Sequence, residues 1–288
     1  MNPSGPVAFV TDAKRPQLTD DDRLVLTPAA ALGVELVPAR WDDPGEDWAR
    51  FRKIILRSTW TYHQQLDRFE GWLGELEGLP VANALPTLRR NLRKTYLSEL
   101  SSLGVPILPT AWPRVGDDLA TIARDHGWHD VVAKPVVSAG SWNTFRGPPD
   151  ALGDAQALSD AGVQMMLQAF CPAVLDEGEW SLIFLGGRFS HAILKVPAAQ
   201  QYFVQEEYGG RILPRVAPAQ LHTLARAALD AWRLLAPEAA LYARVDLLRG
   251  PEGYAVAELE LIEPSLYLGL DPQAPTRFAT AILASLND

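Results

Sequence analysis

The sequence predicts a mixed α/β protein, an α/β layer followed by α+β segments, on three observations. Strand and helix signals alternate through residues 1–85, the texture of a small parallel layer. Two glycine-rich hairpins fall beyond residue 166, at Gly186-Gly187 and around residues 249–253. No internal repeat, low-complexity tract or run of about 18 apolar residues competes with that reading. With 288 residues, 48% hydrophobic and 21% charged, the chain can build a large core or two to three packed subdomains.

The elements follow in order. Residues 7–10 form an apolar run suited to a buried strand. Thr19 before Asp20, Asp21 and Asp22 reads as a helix N-cap with acids in the first turn, where the helix dipole favours them. Leu24, Val25, Ala29 and Leu32 give that helix an apolar side, and Gly33 ends it. Residues 34–37 and 54–56 read as further strands, and Phe69, Trp72, Leu73 and Leu76 recur at helical spacing. A helix is expected from Arg90 to Leu103, stopped by Gly104 and Pro106. Strands follow at 131–137, 165–170, 180–185 and 189–196. A helix over 218–235 shows Leu221, Leu224, Ala225, Ala228, Leu229 and Trp232 on one face. A last hairpin pairs 241–248 with 254–261. The expected division is 1–85, 86–165 and 166–288, with the strand at 165–170 opening the third part.

Bulk properties exclude several function classes. The net charge of −9 leaves no basic face for duplex nucleic acid. The single cysteine, Cys171, rules out an intrachain disulfide and reads as a small buried apolar residue. Without HExxH, CxxC or a histidine cluster, zinc is not expected. Residues 1–10 lack the charged and apolar pattern of a signal peptide, so the expected location is cytoplasmic, with no membrane partner.

The last hairpin carries the most chemistry. Residues two apart on a strand share a face, so Arg244 and Asp246 point together, as do Glu258 and Glu260. A turn centred near residue 252 sets Asp246 opposite Glu258 and Arg244 opposite Glu260, while Leu247, Leu259 and Leu261 face the core. Like charges directly opposite each other on a sheet repel, so three carboxylates around one arginine call for a further cation. Hard oxygen donors suit Mg²⁺ or Mn²⁺. A solvated polar face with an ordinary Arg–Glu pair explains the same pattern.

Lys134 lies inside the apolar run 131–137, and a lysine leaving a buried strand needs an anion such as a phosphate, or else solvent at an edge. The loop that follows, with Ser138, Ala139, Gly140, Ser141 and Trp142, has small residues that let backbone N–H groups approach phosphate oxygens. It is neither a GxxxxGK[ST] loop nor a GxGxxG turn. Lys94, among Arg89, Arg90 and Arg93, reads by itself as part of a solvated basic helix face.

Taken in order, residues 91–100, 104–110, 133–135 with the loop, 168–171, 177–182, 192–197, 242–246 and 258–264 resemble the ATP-grasp superfamily over nearly the whole chain. Within it the chain resembles glutathione synthetase-like and D-alanine–D-alanine ligase-like enzymes. Residues 57–62, Arg-Ser-Thr-Trp-Thr-Tyr, are similar to the N-terminal region of the D-cycloserine synthetase-type group. The resemblance implies an N-terminal α/β domain and two subdomains clasping ATP. Lys94 and Lys134 would hold phosphates, with the loop over them. Gln168, Ala169 and Phe170 would receive adenine, and Glu179 the ribose. Asp246, Glu258 and Glu260 would hold two Mg²⁺ ions. Arg244, with Lys195 assisting, would stabilise the transferring phosphoryl group. The reaction implied is carboxylate–amine ligation, or ring closure, through an acyl phosphate on a small amino-acid-like substrate. Kinase chemistry on the same fold and non-catalytic ATP binding are the rival readings, and a homodimer is left open.

Two departures stand out. Phe203 occupies a position where relatives commonly carry a basic residue, and Glu260 replaces a frequent asparagine. Arg57, Ser58 and Thr59, at the end of a strand, are expected to meet the acceptor substrate, with a structural role for Arg57 as the alternative.

Overall fold

The computed structural model describes residues 5–198 and 209–287, which form three sheets. The first is parallel, in the order β2-β1-β3-β4, from β1 (Val7–Thr11), β2 (Leu36–Arg40), β3 (Lys53–Ser58) and β4 (Val81–Ala82). The second strand starts two residues later than expected. Thr19 caps as predicted, its hydroxyl accepting from the Asp22 amide at 3.0 Å. The single helix expected after it is two, α1 (Asp20–Arg23) and α2 (Leu26–Ala31). Pro28 has no N–H to give the Leu24 carbonyl, so the helix cannot run through. The break turns Leu24 and Leu32 outward, 44% and 39% exposed, while Val25 and Ala29 stay buried. The helix α3 (Leu66–Glu75), with Leu76 just beyond it, buries the four expected apolar residues.

Next come α4 (Leu85–Asn91) and α5 (Tyr96–Ser102), where one helix over 90–103 was expected. The break has a tertiary cause: the Lys94 amide donates to the Val136 carbonyl at 2.8 Å instead of continuing the helix. The second sheet, order β5-β8-β6-β7, contains β5 (Thr110–Ala111), β6 (Val131–Pro135), β7 (Phe145–Gly147) and β8 (Met165–Ala169), all antiparallel. Thus the strand at 165–170, grouped from sequence with the last third, lies between β5 and β6. The helices α6 (Leu119–Asp125) and α7 (Gly153–Asp160) pack in its core.

The short α8 (Ala173–Asp176) leads into the third sheet, antiparallel in the order β11-β10-β9-β12-β13. Its strands are β9 (Glu179–Leu185), β10 (Arg188–Val196), β11 (Arg211–Pro214), β12 (Tyr242–Gly250) and β13 (Gly253–Glu260). Gly186 and Gly187 connect β9 to β10 at φ 55° and 71°, the left-handed turn that glycine permits. One face carries α9 (Ala219–Leu235), which buries Leu221, Ala225, Ala228, Leu229 and Trp232. The other meets the first sheet and α10 (Ala274–Ser285), in a cluster joining Val7 and Phe9 to Tyr242 and Phe278. None of the helices among the described residues is long and apolar enough to cross a membrane.

As the last strand of its sheet, β13 has one open edge, and side chains close it. The Asn91 amide donates to the Leu259 carbonyl at 2.8 Å and its oxygen accepts from the Leu261 amide at 2.9 Å. The Tyr96 hydroxyl accepts from the Leu259 amide at 2.9 Å, and Val256 exchanges bonds with Pro106 and Leu108. Pinning residues 259 and 261 in this way fixes the aim of Glu258 and Glu260 between and before them.

Candidate active site

The hairpin β12–β13 brings Arg244 opposite Glu260 and Asp246 opposite Glu258, the pairing expected. The route differs: the turn is centred between Pro251 and Glu252, and a register shift after Asp246 moves the pairs by one residue. Ligand oxygens of Asp246, Glu258 and Glu260 lie within 4.8 Å of one another. They face a cavity of about 660 Å³ where all three sheets meet.

Each acid on this face meets a cation. Arg244 donates to Asp246 from Nε at 2.9 Å and from Nη2 at 2.9 Å, pairs with Glu260, and gives Nη1 to the Ser265 carbonyl at 3.1 Å. Lys195 lies 2.8 Å from Glu179 and 3.4 Å from Asp246. Ser181 donates to Asp246 as well. Burial alone would raise the Asp246 carboxyl, but Arg244 and Lys195 override it and hold it down to about 2. Glu258 is likewise held low against burial, by Lys94 at 2.9 Å and by Lys134. Glu260 is not: burial and the charges of Glu258 and Asp246 outweigh its share of Arg244 and push it up to about 8. Four acids thus face four cations, and Glu260 is the least compensated of the acids. Three converging carboxylates and no nitrogen or sulfur donor fit Mg²⁺.

The side of the cavity expected to meet phosphates starts from the break between α4 and α5. Lys94 is 9% exposed rather than solvated, and its Nζ lies 2.8 Å from the Ser138 carbonyl. Its surface neighbours Arg89, Arg90 and Arg93 pair with Glu77, Glu99 and Glu70 instead. Lys134 lines the cavity, lowered by burial, with no ion pair within 4 Å among the described residues. Ser138, Gly140 and Ser141 line it too. Gly140 takes φ 59°, which lets the loop turn with its backbone toward the cavity. At the tip Trp142 packs against His63 of the opposite wall, centroids 5.0 Å apart.

Gln168, Ala169 and Phe170 line the far end. The amides of Ala169 and Phe170 already donate to the Pro109 and Asp130 carbonyls, at 3.0 and 2.9 Å. Arg146, bidentate on Asp130, stacks 3.3 Å over one face of Phe170. Cys171 is buried as expected, its thiol donating to the Arg249 carbonyl at 2.6 Å.

Arg57, Ser58 and Thr59 do not reach this cavity. All three are at most 1% exposed. Arg57 donates to Asp22 at 2.9 Å and to the Pro264 carbonyl at 3.0 Å, and Ser58 to Thr11 at 3.0 Å. The strand directs Arg57 into the seam between first and third sheets, while Ser58 bonds within the first. The residues just after them form the wall instead: Trp60, Tyr62, His63 and Gln64, with Lys14 and Arg15 beside them. Glu263 completes it and was not singled out from sequence, although it lies in the segment after Glu260. Phe203 lies outside the described residues.

Two acids here tie stability to pH. Burial pushes Glu260 up to about 8 and Glu263 up to about 7, from an ordinary 4.5. The folded chain therefore holds protons that the unfolded chain releases. Their favourable contribution is complete below 4.5 and is lost as pH rises to 8, by at most about 1.4 kcal/mol per unit per group. Urea midpoints in EDTA should fall from pH 5 to pH 9, and Mg²⁺ should restore most of the loss at pH 9. A midpoint that is flat or rising over that range contradicts this charge balance.

Sequence and structure comparisons agree on the relatives. A family model described as D-cycloserine synthetase DcsG, N-terminal domain, matches residues 7–83. The cycloserine biosynthesis protein DcsG of Streptomyces lavendulae is 29% identical, over 98% of this chain and 99% of that protein. The crystal structure of D-cycloserine synthetase DcsG superposes with a TM-score of 0.88, at 29% identity, covering 98% of this chain and 100% of that one. D-alanine–D-alanine ligase from Bacillus anthracis, complexed with ATP, gives 0.69 at 14% identity over 98% and 97%, which shows a shared fold.

Proposed function

We propose that this chain, an ATP-grasp protein, is an ATP- and Mg²⁺-dependent carbon–nitrogen ligase or intramolecular cyclase acting on a small amino-acid-like substrate. The observation that carries the reading is the junction of three convergent carboxylates, Asp246, Glu258 and Glu260, with two phosphate-sized cations, Lys94 and Lys134, in one cavity. Likeness to a D-cycloserine synthetase along nearly the whole chain favours ring closure within one molecule over joining two.

On this reading a substrate carboxylate attacks the γ-phosphorus of ATP, forming an acyl phosphate and releasing ADP. An amine nitrogen then attacks the acyl carbon, and phosphate leaves. Lys94 and Lys134 hold phosphate oxygens, and the loop 138–142 covers them. Asp246, Glu258 and Glu260 would hold the metal, which would supply neutralisation of phosphate charge. Arg244 stabilises charge on the transferring group, and Lys195 joins it by loosening from Glu179, which frees that carboxylate for the ribose. No side-chain nucleophile is required; the protein positions reactants and balances charge.

Nucleotide binding is the first test, read by thermal shift with AMP-PNP and Mg²⁺. At a hundredfold excess over the dissociation constant, binding stabilises the fold by about 2.7 kcal/mol. Glu258→Ala should lose most of that shift. A wild-type chain that shows neither shift nor calorimetric heat is not an ATP-dependent enzyme. Once binding is shown, free phosphate released together with a substrate-derived amide or ring product marks a ligase or cyclase; a persistent phosphorylated product marks a kinase.

A further inference from the structure

Among the acids lining the cavity, one is left without a cation. Glu179, Asp246, Glu258 and Glu260 each have a lysine or arginine nitrogen within 4 Å. Glu263 has none among the described residues, although it is only 8% exposed. It stands where β13 has ended, three residues past Glu260, and faces the wall of Trp60, Tyr62 and His63. Tyr62 lies beside its carboxyl group, and Lys94 and Arg244 act on it only at longer range. Its main chain is fixed independently of its charge, since its carbonyl accepts from Trp60 Nε1 at 2.8 Å. On the same wall His63 Nδ1 is buried without a hydrogen-bond partner.

An acid nine-tenths buried and unpaired holds its proton until something cationic arrives to favour the carboxylate. A metal ion shared with the three-acid cluster is not the fit, because Glu263 is not part of that cluster. Its neighbours include the aromatic residues Trp60 and Tyr62, which suit an organic cation. We propose that Glu263, seconded by Tyr62, binds the ammonium group of the amino-acid substrate and so selects amino acids over their hydroxy-acid analogues. This rests on the ligase reading above and assigns the substrate end of the same cavity. Lys94 and Arg244 tune Glu263 without occupying it, which leaves room for a positively charged guest. A site built to receive a charged donor rejects the analogue that lacks it, because its buried carboxylate is then left unmatched.

The test is calorimetry on the full chain with AMP-PNP and Mg²⁺ present, using alanine (both enantiomers) and lactate as probes. One alanine enantiomer should bind at least about 30-fold more tightly than the matching lactate. Glu263→Gln keeps the volume and the Tyr62 contact; it should cut that preference below about threefold while AMP-PNP affinity stays within threefold of wild type. Wild type that binds neither alanine enantiomer, or binds alanine and lactate equally, overturns the assignment, as does a preference that survives in Glu263→Gln. The wild-type comparison decides even if the variant fails to fold. If AMP-PNP itself does not bind wild type, the ligase reading has failed; if it binds and the alanine preference is missing, only the role of Glu263 has failed.

Discussion

Arg244→Ala lowers substrate-dependent ADP release by about 10³-fold or more, the scale seen when an arginine that steadies a transferring phosphoryl group is removed. The same change leaves Asp246 and Glu260 without their shared partner on a buried face. Breaking one side of a buried pair costs about 3–5 kcal/mol, so the metal-free variant should also be markedly less stable. The two losses separate with Mg²⁺. A divalent cation can neutralise the orphaned carboxylates and recover much of the stability, yet it cannot supply the missing guanidinium. Urea midpoints and initial rates measured at the same Mg²⁺ concentrations check this. A variant whose rate returns along with its stability would show that Arg244 only holds the acids in place.

Arg57→Ala destabilises the chain by about 3–5 kcal/mol without changing nucleotide affinity in the folded fraction. Arg57 is a buried bridge. It pairs with Asp22 from α1, donates to the Pro264 carbonyl, and lies 5.0 Å over the Tyr242 ring and 5.6 Å over Phe278. One side chain thus ties the first sheet to the segment that follows β13. Removal strands the Asp22 carboxylate, 2% exposed, with only Thr19 to answer it. The expected drop in melting temperature is on the order of 10 °C. Adding Asp22→Asn should recover part of it, since the stranded charge goes with it. A single variant that melts within a degree or two of wild type would refute the bridge.

What could be read from sequence was what local chemistry decides. Alternation along a strand and a glycine-bounded turn were enough to place Arg244, Asp246, Glu258 and Glu260 on one face in register. The register shift went unseen, since nothing in residues 246–248 or 256–258 announces it, yet the pairs came out the same. The break at residues 92–95 was illegible for a different reason. Leu92, Arg93 and Lys94 are all good helix formers, and only a carbonyl 42 positions away, that of Val136, opens the chain there. Lys94 accordingly read as solvated when it is buried. Arg57 was misassigned because the end of a parallel strand can point to a ligand or into a domain seam, and periodicity does not distinguish them. Glu263 was passed over because its lack of a cation within 4 Å, among the described residues, is a property of the assembled cavity.

The closure of β13 by Asn91, Tyr96 and residues 106–108 bears on more than aim. An unprotected edge strand is a template on which another chain can add itself, the first step toward aggregation and strand exchange. Here that edge is covered by the chain's own α4–α5 segment, which also carries Lys94. A lesion that loosens Asn91 therefore releases two things together: Glu258 and Glu260 lose their alignment, and an adhesive surface comes into the open. For this protein, cover for the sheet edge and alignment of the acid cluster depend on the same few hydrogen bonds.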